Sequence, residues 1–340
     1  MFDFSGLIDL PLIWYLLILT AVLLYVVLDG FDLGLGILFP LAPTDQCRDR
    51  MMNSVAPFWD GNETWLVLGG GGLLAAFPLA YAILMPALYL PVILMLLGLI
   101  FRGVAFEFRF KAQRSRPIWD WSFHLGSLTA AFMQGMIVGA LIQGVVVVER
   151  GFAGGPMDWA SPFTFTTGVG LVFGYALLGA TWTVMKTEGD TQTWARRSAV
   201  WLLGLAGVSL AAVTIAIPAI NAQIGQLWGS RPGVYLLAAV PAVAFLLLVA
   251  VWQDLRAGRE VRPFLLAIAF FVTGYLALGL TLWPWIVPYA VTFRQAAAAG
   301  PSQSLLLVGT LVLLPVILVY TAFCYYLFRG KASHAHEGAY

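Results

Sequence analysis

Charge is the scarcest property of this sequence. Asp, Glu, Lys and Arg supply 10% of the 340 residues, against 61% hydrophobic, whereas soluble domains carry roughly 25% charged residues. A soluble fold of this length could not cover so much apolar surface with so few polar groups, so a water-soluble domain is excluded. Cysteine and histidine are nearly as scarce. The two cysteines, Cys47 and Cys324, have neither the number nor the spacing for a disulfide framework or a zinc site. Haem iron is usually held by His, Met or Cys. Only His124 lies in an apolar run, and His334 and His336 sit in a polar tail. A haem ligated wholly by this chain, or a metal centre, is therefore not expected. The net charge is +1 with no long basic block, which argues against a nucleic-acid partner. There is no phosphate-binding glycine loop and no Ser/His/Asp arrangement. Gly69–Gly72 lie inside an apolar run and suit close helix packing.

What is present is long apolar sequence, with 13 Trp and 12 Tyr of the kind that collect at membrane interfaces. A spanning helix needs about 20 apolar residues. Seven runs qualify: Pro11–Leu28, Trp121–Val148, Trp159–Met185, Ala199–Ile224, Pro232–Trp252, Pro263–Val291 and Pro301–Phe328. The uncharged stretch Thr64–Phe101 would measure about 57 Å as one helix and is expected to turn at Phe77-Pro78, giving nine spans. The N-terminus lacks a basic leader and its apolar run is long enough to span, so no cleaved signal is expected. With nine spans, 15 of the 18 Lys and Arg fall in alternate loops and the C-terminal tail, and only Arg150, Arg231 and Arg294 fall on the other side. The positive-inside rule then puts the N-terminus, with Asp3 and Asp9, outside and the C-terminus in the cytoplasm. No linker divides the chain, so residues 1–340 are expected to form one polytopic, all-α membrane domain in contact with lipid.

Ionisable groups inside spans are costly and point to function. Three clusters stand out. Asp29 and Asp32 close the first span at helical i, i+3 spacing, with apolar sequence resuming after them. A helix end with solvated carboxylates is the alternative. Trp59-Asp60-Gly61-Asn62-Glu63 open the second span. From Thr64 to Ala76 a helix covers only about 20 Å of about 30 Å of hydrocarbon. The helix is therefore expected to begin near Ala56 or before and to draw Asp60, Asn62 and Glu63 into the membrane. A capping role at the surface is the alternative. Arg102 and Glu107 follow the third apolar run. Arg102 is expected to pair with the carboxylates, whereas Arg109 onward is expected to be ordinary loop charge. Asp29, Asp32, Asp60, Glu63, Arg102 and Glu107 thus gather at the cytoplasmic side of three consecutive helices, as a proton path or an ion-pair knot would require.

These three motifs, Asp29-Gly-Phe-Asp-Leu-Gly, Trp59-Asp-Gly-Asn-Glu-Thr-Trp-Leu-Val and Phe101-Arg-Gly-Val-Ala-Phe-Glu-Phe-Arg, resemble subunit II of the cytochrome bd-type ubiquinol oxidase family. Pro315–Tyr326 is similar to that family's last helix. The glycine run and Glu63 are closer to its cyanide-insensitive branch. The resemblance implies nine helices arranged as two four-helix bundles plus a peripheral helix, in the bacterial inner membrane. It implies a partner subunit I that bears haem b and haem d and oxidises ubiquinol, with a small single-helix accessory subunit as a further partner. Subunit II would then hold no catalytic group of its own. It would stabilise subunit I and help carry cytoplasmic protons to O2 reduction through Asp29, Asp32, Asp60 and Glu63, shaped and tuned by Trp59, Asn62, Arg102 and Glu107. A purely structural subunit and a secondary transporter are the competing readings. Charge crowded at one side, rather than at the midplane, argues against the transporter.

Overall fold

The computed structural model describes residues 8–220, 225–226 and 233–332. Asp3, Arg231, His334, His336 and the facing ends of the runs Ala199–Ile224 and Pro232–Trp252 lie outside the described residues. Among the described residues twelve α-helices follow in order: α1 Leu10–Leu38, α2 Asp45–Val55, α3 Trp59–Ala76, α4 Pro78–Ala87, α5 Tyr89–Arg109, α6 Arg116–Gln143, α7 Pro162–Lys186, α8 Gly189–Ile220, α9 Gly233–Arg256, α10 Arg262–Leu282, α11 Phe293–Ala296 and α12 Gly300–Leu327. Two short hairpins, β1 Val147–Val148 with β2 Gly151–Phe152 and β3 Trp285–Val287 with β4 Val291–Thr292, take up the ends of runs expected to be wholly helical. Eight described helices are long and apolar enough to cross a membrane, and α3 with α4 makes a ninth if that bent pair is one span.

Local chemistry explains the boundaries. Asp9 caps α1, its carboxylate accepting from the Leu12 amide at 3.3 Å, with Pro11 in the first turn. The helix then runs through both aspartates to Leu38. Thr44 caps α2 by accepting from the Cys47 amide at 3.2 Å. The expectation that the second spanning helix begins near Ala56 is corrected here. Pro57 separates α2 from α3, which starts at Trp59, because proline has no amide hydrogen to continue the helical ladder and its ring crowds the preceding turn. Asp60, Asn62 and Glu63 still fall in the first turns. The expected break at Phe77-Pro78 is present, with α3 and α4 bent by 119°. A chain break leaves carbonyls unpaired. That of Ala76 is taken up by the Ala298 amide at 2.9 Å and by Gln303 Nε2 at 3.0 Å.

Helices α1, α5, α6 and α7 pack through small residues. A Cβ on Gly34 would overlap the Tyr175 carbonyl of α7, and one on Gly98 would meet the Gly126 carbonyl of α6 at 2.6 Å. Such backbone contact gives dispersion and close helix approach in a solvent that offers no hydrophobic drive. α3 lies against α1, and its inward residues are Asn62, Trp65, Gly69, Gly72 and Ala76. Helices α8, α9 and α10 pack on α7 or on one another. Their ends are tied by Arg196, which donates to the carbonyls of Leu255 (2.8 Å), Arg259 (3.1 Å) and Gly258 (3.3 Å). The first is a carbonyl that the helix C-terminus leaves open, and the other two belong to the turn that follows it. Helix α12 is mostly exposed.

Candidate functional site: a buried arginine with three carboxylates

The centre of the site is Arg102, fully buried on α5. Its Nη2 lies 2.7 Å from Asp29 Oδ1, 3.4 Å from Glu63 Oε1 and 4.0 Å from Asp32 Oδ2. Asp29 and Asp32 are fully buried, and the Glu63 side chain is 25% exposed. The i, i+3 spacing puts both aspartates on the face of α1 that meets α3 and α5. The alternative of solvated carboxylates at a helix end does not hold. One guanidinium balances one carboxylate, so a centre with three has capacity for exchangeable protons. Arg102 Nε and Nη1 find no protein acceptor among the described residues.

Asn62, also buried, completes the arrangement. Its Nδ2 donates to Asp32 Oδ2 at 2.7 Å and to the Leu28 carbonyl at 3.2 Å. Its Oδ1 accepts from the Tyr325 hydroxyl at 3.0 Å. Trp59 stacks on Phe106 with centroids 4.8 Å apart, and its ring edge lies over Gly103, so it walls the site beside Arg102. Behind Asp29 a second set of buried polar groups continues. The Tyr25 hydroxyl sits beside that carboxylate and accepts from Gln134 Nε2 at 2.7 Å, while the Tyr175 hydroxyl donates to Gln134 Oε1 at 2.9 Å.

Two expected members of the cluster lie elsewhere. Asp60 is exposed. At about 100° per residue it sits roughly 200° around α3 from the inward Asn62, so it joins Glu63 as a neighbour but not the buried centre. Glu107 is 67% exposed and pairs with Lys111 at 3.4 Å. It is about 140° around α5 from Arg102, which turns it away from α1. Arg109 was expected to be loop charge and is instead fully buried. It lies 2.6 Å from Asp49 and 2.5 Å from Asp120, with Arg116 also on Asp49 and its guanidinium over the Phe39 ring. Its signal in the sequence is its distance of seven residues from Arg102, which places both on one helix face. Gln134, a polar residue in an apolar span, and Tyr25, one turn before Asp29, were likewise legible signals. Tyr325 carried none.

His124 Nδ1 lies 3.1 Å from the Gly36 carbonyl, the satisfied polar role expected of a lone histidine. Among the described residues, no group of three or more His, Cys, Asp or Glu is arranged to hold a metal ion.

Comparison with known proteins places the whole chain rather than the site. Residues 10–328 match the family model described as cytochrome bd terminal oxidase subunit II. Cytochrome bd-I ubiquinol oxidase subunit 2 of Escherichia coli (strain K12) is 31% identical over 361 residues, covering 95% of each chain. Cytochrome bd ubiquinol oxidase subunit 2 of Bacillus subtilis (strain 168) is 28% identical over 338 residues, covering 96% of this chain and 98% of that one. In fold, the chain matches a chain of the bd oxidase from Geobacillus thermodenitrificans with a TM-score of 0.75 at 16% identity, covering 94% of this chain and 99% of that one. With a matching model over most of its length and relatives covered nearly end to end, the chain belongs to the cytochrome bd terminal oxidase subunit II family.

Proposed function

We propose that this chain is the haem-free second subunit of a cytochrome bd-type quinol:O2 oxidoreductase, and that it carries protons from the cytoplasm toward a partner subunit that reduces O2. The observation that carries the reading is the Arg102 centre. Reduction of O2 to water takes up one proton per electron, and those protons must cross apolar protein. Several carboxylates within short reach of one another, held by a permanent cation, form a relay suited to that. Asp60 is the outermost acid, Glu63 is half-way in, and Asp32 and Asp29 lie at the buried end. Arg102 keeps the relay charged and in place, and Trp59 excludes lipid from its flank.

The proposed orientation sets the arginine-rich end toward the cytoplasm, with Arg48, Arg109, Arg116 and Arg196 on that side and Asp9 and Arg294 outside. The membrane is the bacterial inner membrane, and the helices divide into two four-helix bundles with one peripheral helix. Haem b, haem d and the ubiquinol reaction are assigned to subunit I, a reading supported by His124 Nδ1 lying against the Gly36 carbonyl. Stabilising subunit I is the second proposed role, and a small accessory subunit is a further proposed partner.

The test is Asp32→Asn in the complex captured through a tag on this chain. Oxygen consumption should fall about a hundredfold or more, the range that general acid–base groups contribute, with haem content per complex unchanged. Unchanged turnover would remove the proton role. Loss of haem and partner together would support ion-paired glue instead, a reading favoured by the short Arg102–Asp29 contact.

A further inference from the structure

An asparagine amide can face either way, and its neighbours decide which. At Asn62 they leave no choice. A carboxylate only accepts hydrogen bonds when ionised, and a phenol can donate to a carbonyl oxygen. With the Tyr325 hydroxyl 3.0 Å from Oδ1 and Asp32 Oδ2 2.7 Å from Nδ2, the amide must donate to Asp32. The reverse orientation would set Oδ1 against the Leu28 carbonyl, which only accepts, 3.2 Å away. Tyr325 is itself fixed. Its ring stacks on Phe58 with centroids 4.4 Å apart and 12° between planes, and it meets the edge of Trp182. Just beyond it, Lys186 Nζ donates to the carbonyls of Phe328 (2.6 Å) and Gly330 (3.2 Å). Helix α12 is otherwise weakly packed, so this attachment is local and specific.

We propose that Tyr325 is a positioning residue for the acid centre. Through Asn62 it sets the orientation of Asp32 and how readily that carboxyl takes and gives a proton. Helix α12 thus tunes proton transfer without touching the buried aspartates. The proposal rests on the reading that the centre conducts protons. The groups facing Asp32 are Arg102 from α5, Asp29 on its own helix, and Glu63 and Asn62 from α3, with Tyr325 of α12 behind Asn62. Helices α6 and α7 present Gln134 and Tyr175 to the Asp29 side through Tyr25.

Tyr325→Phe in the intact complex is the test, since it keeps the stacked ring and removes only the hydroxyl. Tyr325 donates to Asn62 and not to Asp32, so its loss frees the Asn62 amide to turn and weakens the donation to Asp32 Oδ2. Haem content should be unchanged, and the pH–rate profile of oxygen consumption should be displaced by up to about half a unit, a part of one hydrogen bond. In the Asp32→Asn background the same change should have no further effect, because the two residues act in series. An unchanged profile, or losses that add in the double variant, overturns the proposal while leaving the proton path standing. If Asp32→Asn alone leaves turnover intact, the path itself fails and this proposal with it. If Tyr325→Phe does not assemble, a ring-fluorinated tyrosine at position 325, whose phenol is a stronger donor to Asn62, reads the same contact: a displaced profile supports the proposal, and an unmoved profile overturns it.

Discussion

Helices α6 and α7 bury 56% and 67% of their most apolar windows inside the chain, whereas α8 buries 17% and α10 and α12 only 6% each. The first group meets through backbone contacts at glycines and encloses ions. The second is apolar nearly all round and is stitched at its ends, by Arg196 at the α9–α10 turn and by Lys186 at the end of α12. In water the second pattern would be unstable, but lipid solvates an apolar helix as well as another helix does. The difference separates two tasks. Where the chain must hold charge away from lipid, it builds its own closed interior. Where it needs only to span, it leaves its surface to the bilayer or a partner.

The largest expected effect comes from emptying the closed interior of its cation. Arg102→Leu leaves three carboxylates facing one another without compensation, and breaking a buried pair typically costs about 3–5 kcal/mol. The complex should be lost from the membrane, read as haem per membrane protein. Survival of Arg102→Leu at normal yield would show that the interior is not built around ions.

The next test sets one glycine from each region side by side. Gly34→Ala forces a Cβ into the Tyr175 carbonyl, and such overpacking costs about 3 kcal/mol. Gly279→Ala meets nothing within 4 Å and should be neutral or stabilising by up to about 1 kcal/mol. Midpoints of thermal loss of the haem spectrum measure both. Equal effects would erase the distinction between the regions.

Arg196→Ala removes the tie at the α9–α10 turn. Partly exposed hydrogen bonds to a charged donor are each modest, and a loss of about 1–2 kcal/mol is expected, read in the same melt. The smallest effect is at the chain's end. Lys331 lies 2.8 Å from Glu260. Hydrogen bonds from Lys331 and Gln192 hold the Glu260 carboxyl below its ordinary value, and the Glu260 hydrogen bond holds Lys331 above its own. A depressed carboxyl contributes above its unfolded value and loses that contribution as pH falls through its folded one. The raised lysine contributes below its unfolded value and loses that as pH rises through its folded one. The attachment is therefore closed at neutral pH and loosens below about pH 4, which hydrogen exchange at residues 328–332 will register.

How much of this was legible follows from helix geometry. Asp29, Asp32 and Arg102 stood out because a charge within an apolar run has few innocent explanations. Asp60 and Glu107 were placed with them because spacing fixes the angle between two residues on one helix but not which way that helix is rotated. Rotation is set by the inward face of α3, from Asn62 to Ala76, and by α5's contacts with α6. Arg109 was misread because the end of α5 falls later than the apolar run does. Tyr325 had no local sign at all, since tyrosines are common near helix ends and its partner Asn62 is 263 positions away. The break at Phe77 was legible, but not that the freed carbonyl of Ala76 would be claimed from α12.

That last contact gives α12 a duty of measurement. Near one end Gln303 holds the close of α3 at Ala76, and near the other Tyr325 holds its opening at Asn62. The same rod is pinned to both ends of the helix that carries Glu63. One residue added or removed between Gln303 and Tyr325 would swing one end relative to the other by about 100°, so both pins could not stay in place. The length of this weakly packed helix is thus the gauge against which α3 is set.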